Sequence, residues 1–346
     1  MLKETPTLAP DGLPYRLSTL RNANGMVVAL MDWGATLLSI RVPMNDGTVR
    51  ETLLGCPSPE VYQQQTAFLG ASIGRYANRI ARSTFTLDGK QFSLLPSQGE
   101  NQLHGGPEGF DKRRWRIVRQ NEREVLYTLD SPDGDQGYPG ELCATAHYQL
   151  NDDNGLVIEY RAQVDKPCPV NLTNHAYFNL DGTQHDVRNH KLQLFASRWL
   201  PVTAQGIPEG DLADVAGTSF DFRTPKTIAR DFLSDEAQQN VRGYDHAFLL
   251  DAQGDVTQPA AQVWSADEKL QMSVFTTAPA LQFYTGNFLE GTPAREQGEY
   301  QAWQGLALES EFLPDSPNHP EWPQPDCILR PGEDYRSVTE YRFTPR

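Results

Sequence analysis

An all-β architecture, a sandwich or barrel-like assembly of many short strands with a few short helices, is what the sequence predicts. Three observations lead there. The 346 residues include 27 glycines and 25 prolines, an excess that favours frequent turns and therefore short strands. Apolar and polar residues alternate at period two, while helical periodicity is scarce. Asn-Gly and Asp-Gly dipeptides stand between the alternating runs, where hairpins turn. The length alone would admit about two domains, yet β-architectures often fold as one unit of this order. The sequence shows no internal repeat and no low-complexity linker, so residues 1–346 are expected to form a single domain.

In chain order, Tyr15 to Leu54 reads as several strands, with turns at Asn24-Gly25 and Asn45-Asp46-Gly47. Ser58-Pro59-Glu60 reads as the start of a short helix, with Ser as N-cap and Pro at the first position. Phe85, Leu87, Phe92 and Leu94 flank Asp88-Gly89, the clearest hairpin of the chain. Upstream, Arg75, Asn78 and Arg79 sit in a Gly-containing irregular segment that carries neither a dinucleotide fingerprint nor a phosphate-loop motif. His104 precedes Gly105-Gly106, which would let the backbone approach a ligand closely. Asp133-Gly134-Asp135 lacks the distal bidentate Glu of a calcium loop and reads as an acidic turn. Asp231 to Asn240 is expected to hold a short helix.

Asn171–Leu180, NLTNHAYFNL, is the most distinctive stretch. As an extended strand it places Asn171, Thr173, His175, Tyr177 and Asn179 on one face. That row of short neutral donors and acceptors around an imidazole suits a pocket for a polar, uncharged ligand. A histidine within a strand is more often a satisfied structural residue, so the row alone does not assign catalysis. Asn171-Leu172-Thr173 also matches a glycosylation acceptor, a weak match without a secretory route. Downstream, Gln282 should face opposite to Leu281 and Phe283. In Gly305–Pro317, Glu309 and Glu311 face opposite to Leu306 and Leu308. A carboxylate late in an apolar strand is costly if buried. A solvated edge would accommodate Glu311 more readily than Glu309.

A net charge of −15 at pH 7 argues against nucleic acid and anionic membranes as partners. The four cysteines, at 56, 143, 168 and 327, have no paired spacing and read as free thiols of a reducing compartment. The N-terminal stretch has no apolar run, and no segment approaches the roughly 18–20 apolar residues of a membrane span. A cytoplasmic location is expected, with no obligate protein partner evident.

Together, GRYANRI (74–80), QLHGG (102–106), DGDQGYPG (133–140), NLTNHAYFNL (171–180), GYDHAF (243–248), ALQFYTGNF (280–288) and LALESEFLPDSPNHP (306–320) resemble the aldose 1-epimerase, or galactose mutarotase, family. The runs follow one another in the family's order over most of the chain. The resemblance implies an antiparallel β-supersandwich with a sugar cleft, an acid–base pair at His175 and Glu309, and sugar contacts at Asn78, Arg79, His104, Asp245 and Gln282. It implies no metal and no cofactor, in keeping with the lack of closely spaced histidine pairs. The implied substrate is a free aldohexose, whose anomers interconvert by ring opening and reclosure, with Glu309 as base and His175 as acid in the opening step. His104 would hold a sugar hydroxyl or assist the acid. Alternatives at this stage are an epimerase of hexose 6-phosphates, with Arg75, Arg82 and Lys112–Arg114 as a candidate basic rim, a glycosidase or lyase, and a non-catalytic sugar-binding module.

Overall fold

The computed structural model describes residues 2–182 and 185–346. Among the described residues the largest sheet has nine strands. Its middle is built from Leu142–Leu150, Gly155–Val164, Tyr335–Pro345 and Leu270–Thr276, each antiparallel to the next. Period-two patterning decides which side faces inward. Leu156, Ile158, Tyr160 and Ala162 alternate with more exposed residues along Gly155–Val164, and Tyr341 and Phe343 continue the buried surface on the neighbouring strand. Burying a large apolar side chain contributes roughly 1.5–3 kcal/mol, so a register slip of one residue, which would expose the whole row, is excluded.

A second sheet packs against this face. Its strands, in order, are Ala213–Asp214, Arg198–Trp199, Asp245–Leu249, Ala280–Tyr284 and Ala307–Glu311. Leu281, Phe283 and Leu308 join the core shared with Tyr341 and Phe343, and the Tyr341 hydroxyl donates to the Leu308 carbonyl at 3.1 Å. The opposite face of the second sheet carries Asp245, Gln282 and Glu309. A third, five-stranded sheet holds the N-terminal strands from Leu2–Leu8 to Val49–Glu51. The result is an antiparallel supersandwich, within the all-β reading of the sequence and as the family resemblance implies. The predicted hairpin is Thr84–Leu87 with Lys90–Ser93.

Three expectations are corrected. Pro59–Gln64 is a 3-10 helix rather than an α-helix, and the Ser58 side chain makes no capping bond. Of Asp231–Asn240, only Glu236–Gln239 is α-helical, capped by Asp235 on the Gln238 amide. Asn171–Leu180 is not a regular strand. Thr173–Asn174 pairs as a short strand with Ser72–Ile73, Asn171 and Phe178 form only isolated bridges, and the whole stretch is buried. Its amides serve neighbouring backbone. Asn171 donates to the Ala77 carbonyl at 3.2 Å and accepts from the Phe312 amide at 3.0 Å. Asn179 donates to the Gln304 carbonyl at 3.0 Å, and the Tyr177 hydroxyl to the Ala67 carbonyl at 2.8 Å. Buried loop carbonyls need partners, and these short neutral groups supply them. Of the predicted polar row, His175 is the member that serves the cleft.

Arg75 shows the same logic with a charge. It is 2 % exposed and donates to the Ser131 hydroxyl and to the carbonyls of Ser131, Pro132, Pro139 and Gly140 at 2.7–3.1 Å. It therefore staples the segment before Asn78 to the large sheet. Arg75→Met should lower unfolding free energy by about 2–4 kcal/mol, because several buried carbonyls lose their donors. Urea unfolding followed by fluorescence checks this; a loss under 1 kcal/mol contradicts it.

Candidate active site

Gly74–Ile80 and Gln102–Gly106 form one wall of the site. Arg79–Ile80 pairs with Gln102–Leu103, and the His104 amide donates to the Asn78 carbonyl at 2.9 Å. Beyond this pairing both residues turn into the left-handed region, Asn78 at φ 66 and His104 at φ 51, a conformation that Asn and His adopt more readily than most side chains. Gly105 follows at φ 87, and a Cβ there would collide with the Gly74 carbonyl. The expected role of that glycine pair, close backbone approach, thus serves to press the His104 loop onto Gly74.

This geometry sets the tautomer of His104. The Asn78 amide donates to His104 Nδ1 at 3.0 Å, so the neutral ring carries its proton on Nε2 and offers it as a donor. Burial, followed by the charges of His175 and Arg79, holds His104 well below its ordinary pKa.

The opposite wall is the second sheet. Gln282 lies directly across from Glu309 in the pairing of Ala280–Tyr284 with Ala307–Glu311. On the other side its amide donates to Asp245 Oδ1 at 2.8 Å. Side-chain alternation therefore brings an acid, an amide and a second acid onto one face of three adjacent strands. Asp245 is half-buried and is raised by burial.

His175 closes the floor. Its backbone is fixed by bonds from its amide to the Ala71 carbonyl and from the Gly70 amide to its own carbonyl, both 2.9 Å. Its ring stacks on Tyr177 at 4.8 Å and meets the His104 ring edge-on at 5.2 Å. His175 Nε2 lies 3.5 Å from Glu309 Oε1, too long for a strong hydrogen bond. Burial pushes His175 down to about 4. It pushes Glu309 well above the usual carboxylate range, with Glu311 adding to the effect. Burial thus favours the neutral form of each member, a protonated carboxyl beside an unprotonated imidazole.

All seven residues singled out in the sequence converge here. Sequence reasoning missed Phe68, Tyr284 and the burial of Glu311. Phe68, at φ 60, packs edge-on against His104 at 4.8 Å and stacks on His175 at 6.0 Å. No local pattern marks it. Glu311 is not on a solvated edge. It is 1 % exposed, accepts from the Asn78 side-chain amide at 2.8 Å, and is pushed up to about 8 by burial. Four buried polar atoms of the site have no protein partner: His175 Nδ1, Gln282 Oε1, Glu309 Oε1 and Glu311 Oε2. Native interiors rarely tolerate such a cluster unless a ligand completes it. Arg79 and Asp245 also line an open cavity of about 920 Å³ that leads outward past Arg82 and Phe288.

His104, His175 and Glu309 can each point one ligand atom to within 4.8 Å of the others, a triad invisible to a search for close spacing because three distant segments supply it. The donor set does not fit a cation. His104 Nδ1 is already occupied, and its other nitrogen carries a hydrogen. Of the candidate basic rim, Arg82 lines the open cavity and Lys112 donates to the Pro107 carbonyl, while the rest are engaged elsewhere. Arg75 is consumed by carbonyls as described, Arg113 pairs with Asp135, and Arg114 pairs with Asp11 and Asp32.

Residues 16–342 match the family model described as aldose 1-epimerase. The chain is 71 % identical over 343 residues to the aldose 1-epimerase of Escherichia coli (strain K12), covering 99 % of both chains. It is 40 % identical over 319 residues to the galactose mutarotase of Bos taurus, covering 92 % of this chain and 91 % of the relative. Among solved structures, an aldose epimerase homologue from C. elegans superposes with a TM-score of 0.89 at 31 % identity, covering 96 % of this chain and 99 % of its own.

The raised carboxyls have a thermodynamic consequence. A group whose folded pKa lies above its unfolded value binds protons more tightly when folded, so it withdraws stability as pH rises from the unfolded value through the folded one. For Glu311 that window runs from 4.5 to about 8. Glu311→Gln should therefore be more stable than the unaltered protein at pH 8, by about 1–3 kcal/mol, with the difference vanishing near pH 4. Denaturant unfolding at both pH values decides; a variant less stable at pH 8 contradicts it.

Proposed function

The chain belongs to the aldose 1-epimerase family and interconverts the α and β anomers of free aldoses, an isomerase activity, and we propose that it does so by opening the sugar ring between Glu309 and His175. The observation that carries this reading is the pair itself, 3.5 Å apart, buried, unpaired with any lysine or arginine among the described residues, and beside the neutral donors Gln282 and His104.

The pair's single proton is the working element. A sugar whose anomeric hydroxyl donates to Glu309 favours the carboxylate, and a ring oxygen that accepts from His175 favours the imidazolium. Binding so moves the proton from Glu309 to His175. Glu309 then takes the proton from the anomeric oxygen as the C1–O5 bond breaks, and His175 delivers its proton to O5. The products of this step are the open-chain aldehyde, a protonated Glu309 and a neutral His175. Rotation about C1–C2 presents the other face of the carbonyl. On closure His175 withdraws the O5 proton while O5 attacks C1, and Glu309 returns its proton to the carbonyl oxygen. No proton or electron is gained or lost overall. Asn78, Arg79, Asp245, Gln282 and the Nε2–H of His104 are assigned to ring hydroxyls. Neutral amides and an imidazole N–H suit an unphosphorylated hexose such as galactose or glucose.

We also read residues 1–346 as one functional unit, because the strand Tyr335–Pro345 lies between Gly155–Val164 and Leu270–Thr276 and joins distant parts of the chain. A cytoplasmic location is part of the proposal. It is supported by four free thiols, Cys143 exposed among them. Among the described residues no helix is long and apolar enough to cross a membrane.

Polarimetry of freshly dissolved α-D-galactose and α-D-glucose tests the assignment. Glu309→Gln should lower kcat by at least about 10²-fold, a barrier increase of roughly 2.7 kcal/mol, with sugar affinity little changed. His175→Asn should lower kcat more than His104→Gln; the reverse ranking in folded variants would move the acid to His104. Activity should survive exhaustive EDTA treatment, and loss restored by zinc or magnesium would contradict the donor assignment of His104.

A further inference from the structure

Glu311 has no part in the bond-making steps, yet at 1 % exposure it is as buried as the apolar core. It shares a face of Ala307–Glu311 with Glu309, one residue intervening, and both are at most 2 % exposed. Neither carboxyl has a lysine or arginine within ion-pair distance among the described residues. Two acids on one desolvated face cannot both ionise at low cost. Their surroundings differ. Glu311 Oε1 receives the Asn78 amide at 2.8 Å, a bond that favours its charged form. Glu309 Oε1 has no hydrogen-bond donor among the described residues.

Asn78 also ties the two halves of the site together. Its backbone amide donates to His104 Nδ1 at 3.0 Å, and its side-chain oxygen accepts from the Arg79 amide at 3.0 Å. Glu311 thus anchors the residue that orients His104 and leads into Arg79.

We propose that Glu311 is a positioning residue for the epimerase reaction: held by Asn78 on the same buried face as Glu309, it takes that face's negative charge first and so keeps the proton on the Glu309–His175 pair. The inference rests on the Glu309–His175 reading above. With Glu311 charged, removing the pair's proton would place two adjacent buried carboxylates on one strand, so the one-proton form persists to higher pH.

Other charged and titratable groups face the two acids. Asp245 from Asp245–Leu249 and Arg79 from the opposite wall act on both, in opposite senses. Tyr76 and Tyr335 lie near Glu311. Tyr177, Tyr284 and Tyr341 lie near Glu309, and burial raises each of these phenols, keeping it neutral. Within this set Glu311 is the acid closest to Glu309 along the strand.

The experiment is the pH dependence of kcat/KM for galactose, measured by polarimetry with the spontaneous rate subtracted, for the unaltered enzyme and Glu311→Gln. The alkaline limb reports loss of the pair's proton. In Glu311→Gln it should move toward neutral pH by about one unit or more, the order of a removed like-charge interaction. The acid limb, set by His175, should stay in place. A merely structural role would scale the whole profile without moving a limb. Proton release on galactose binding, from calorimetry in buffers of different ionisation enthalpy, gives a second reading on any folded variant, whatever its turnover: above neutral pH the release should change in Glu311→Gln. An unmoved alkaline limb together with unchanged proton release overturns the role of Glu311 alone. Near-normal turnover by Glu309→Gln overturns the assignment of the base, and this inference with it.

Discussion

The site depends on keeping Glu309 away from both water and counter-charge. A carboxyl placed in the interior is costly to ionise unless paired, and among the described residues no lysine or arginine forms an ion pair with it. What the fold supplies is a floor of Tyr177 and Phe68, a wall of Gln282 and Tyr284, and a neutral imidazole 3.5 Å away. That environment favours the neutral form of both groups, lowering His175 and raising Glu309. Raising Glu309 costs folding free energy. The large core shared by the two sheets is what the chain has to set against it.

Backbone strain is spent in the same place. Phe68, Asn78 and His104 are all left-handed, and each presents a side chain or an amide to the cleft. Asn78 has three uses at once: its side-chain amide holds Glu311, its side-chain oxygen holds the Arg79 amide, and its backbone amide fixes the tautomer of His104. Such conformations persist where surrounding bonds over-determine them. Here Arg75, stapled to carbonyls of the large sheet, fixes the chain immediately upstream. The tautomer of His104 then decides what the cluster can do. With Nδ1 occupied, the ring is a hydrogen-bond donor toward the cleft, which suits a sugar hydroxyl and not a cation.

The alternation of Ala280–Tyr284 and Ala307–Glu311 made Gln282 and Glu309 readable before any coordinates. One side of each strand is apolar and joins the core, so the polar residues had to face the other way. The same reasoning misplaced Glu311. A carboxylate at the end of an edge strand reads as solvated, and Ala307–Glu311 is indeed an edge of its sheet. Its side chain is covered by Asn78 and by neighbouring tyrosines, which come from remote segments. The polar row of Asn171–Leu180 failed for a related reason. Period-two logic assumes a continuous strand, and this stretch is pinned instead by isolated bridges to Leu53, Tyr76 and Leu306. Its amides answer to loop carbonyls, which sequence spacing does not reveal.

By itself the sequence determined the fold class and the hairpin at Asp88-Gly89, and the family resemblance pointed to the seven residues that the structure brings together. These follow from local rules: periodicity, turn chemistry, and motif order matched to a family. Only the tertiary structure decided which polar groups remain unsatisfied, because that depends on where distant carbonyls and amides fall. It decided the proton inventory as well. Burial moves His175 down to about 4 and Glu311 up to about 8, and desolvation is a property of everything packed around a group rather than of its neighbours in the chain.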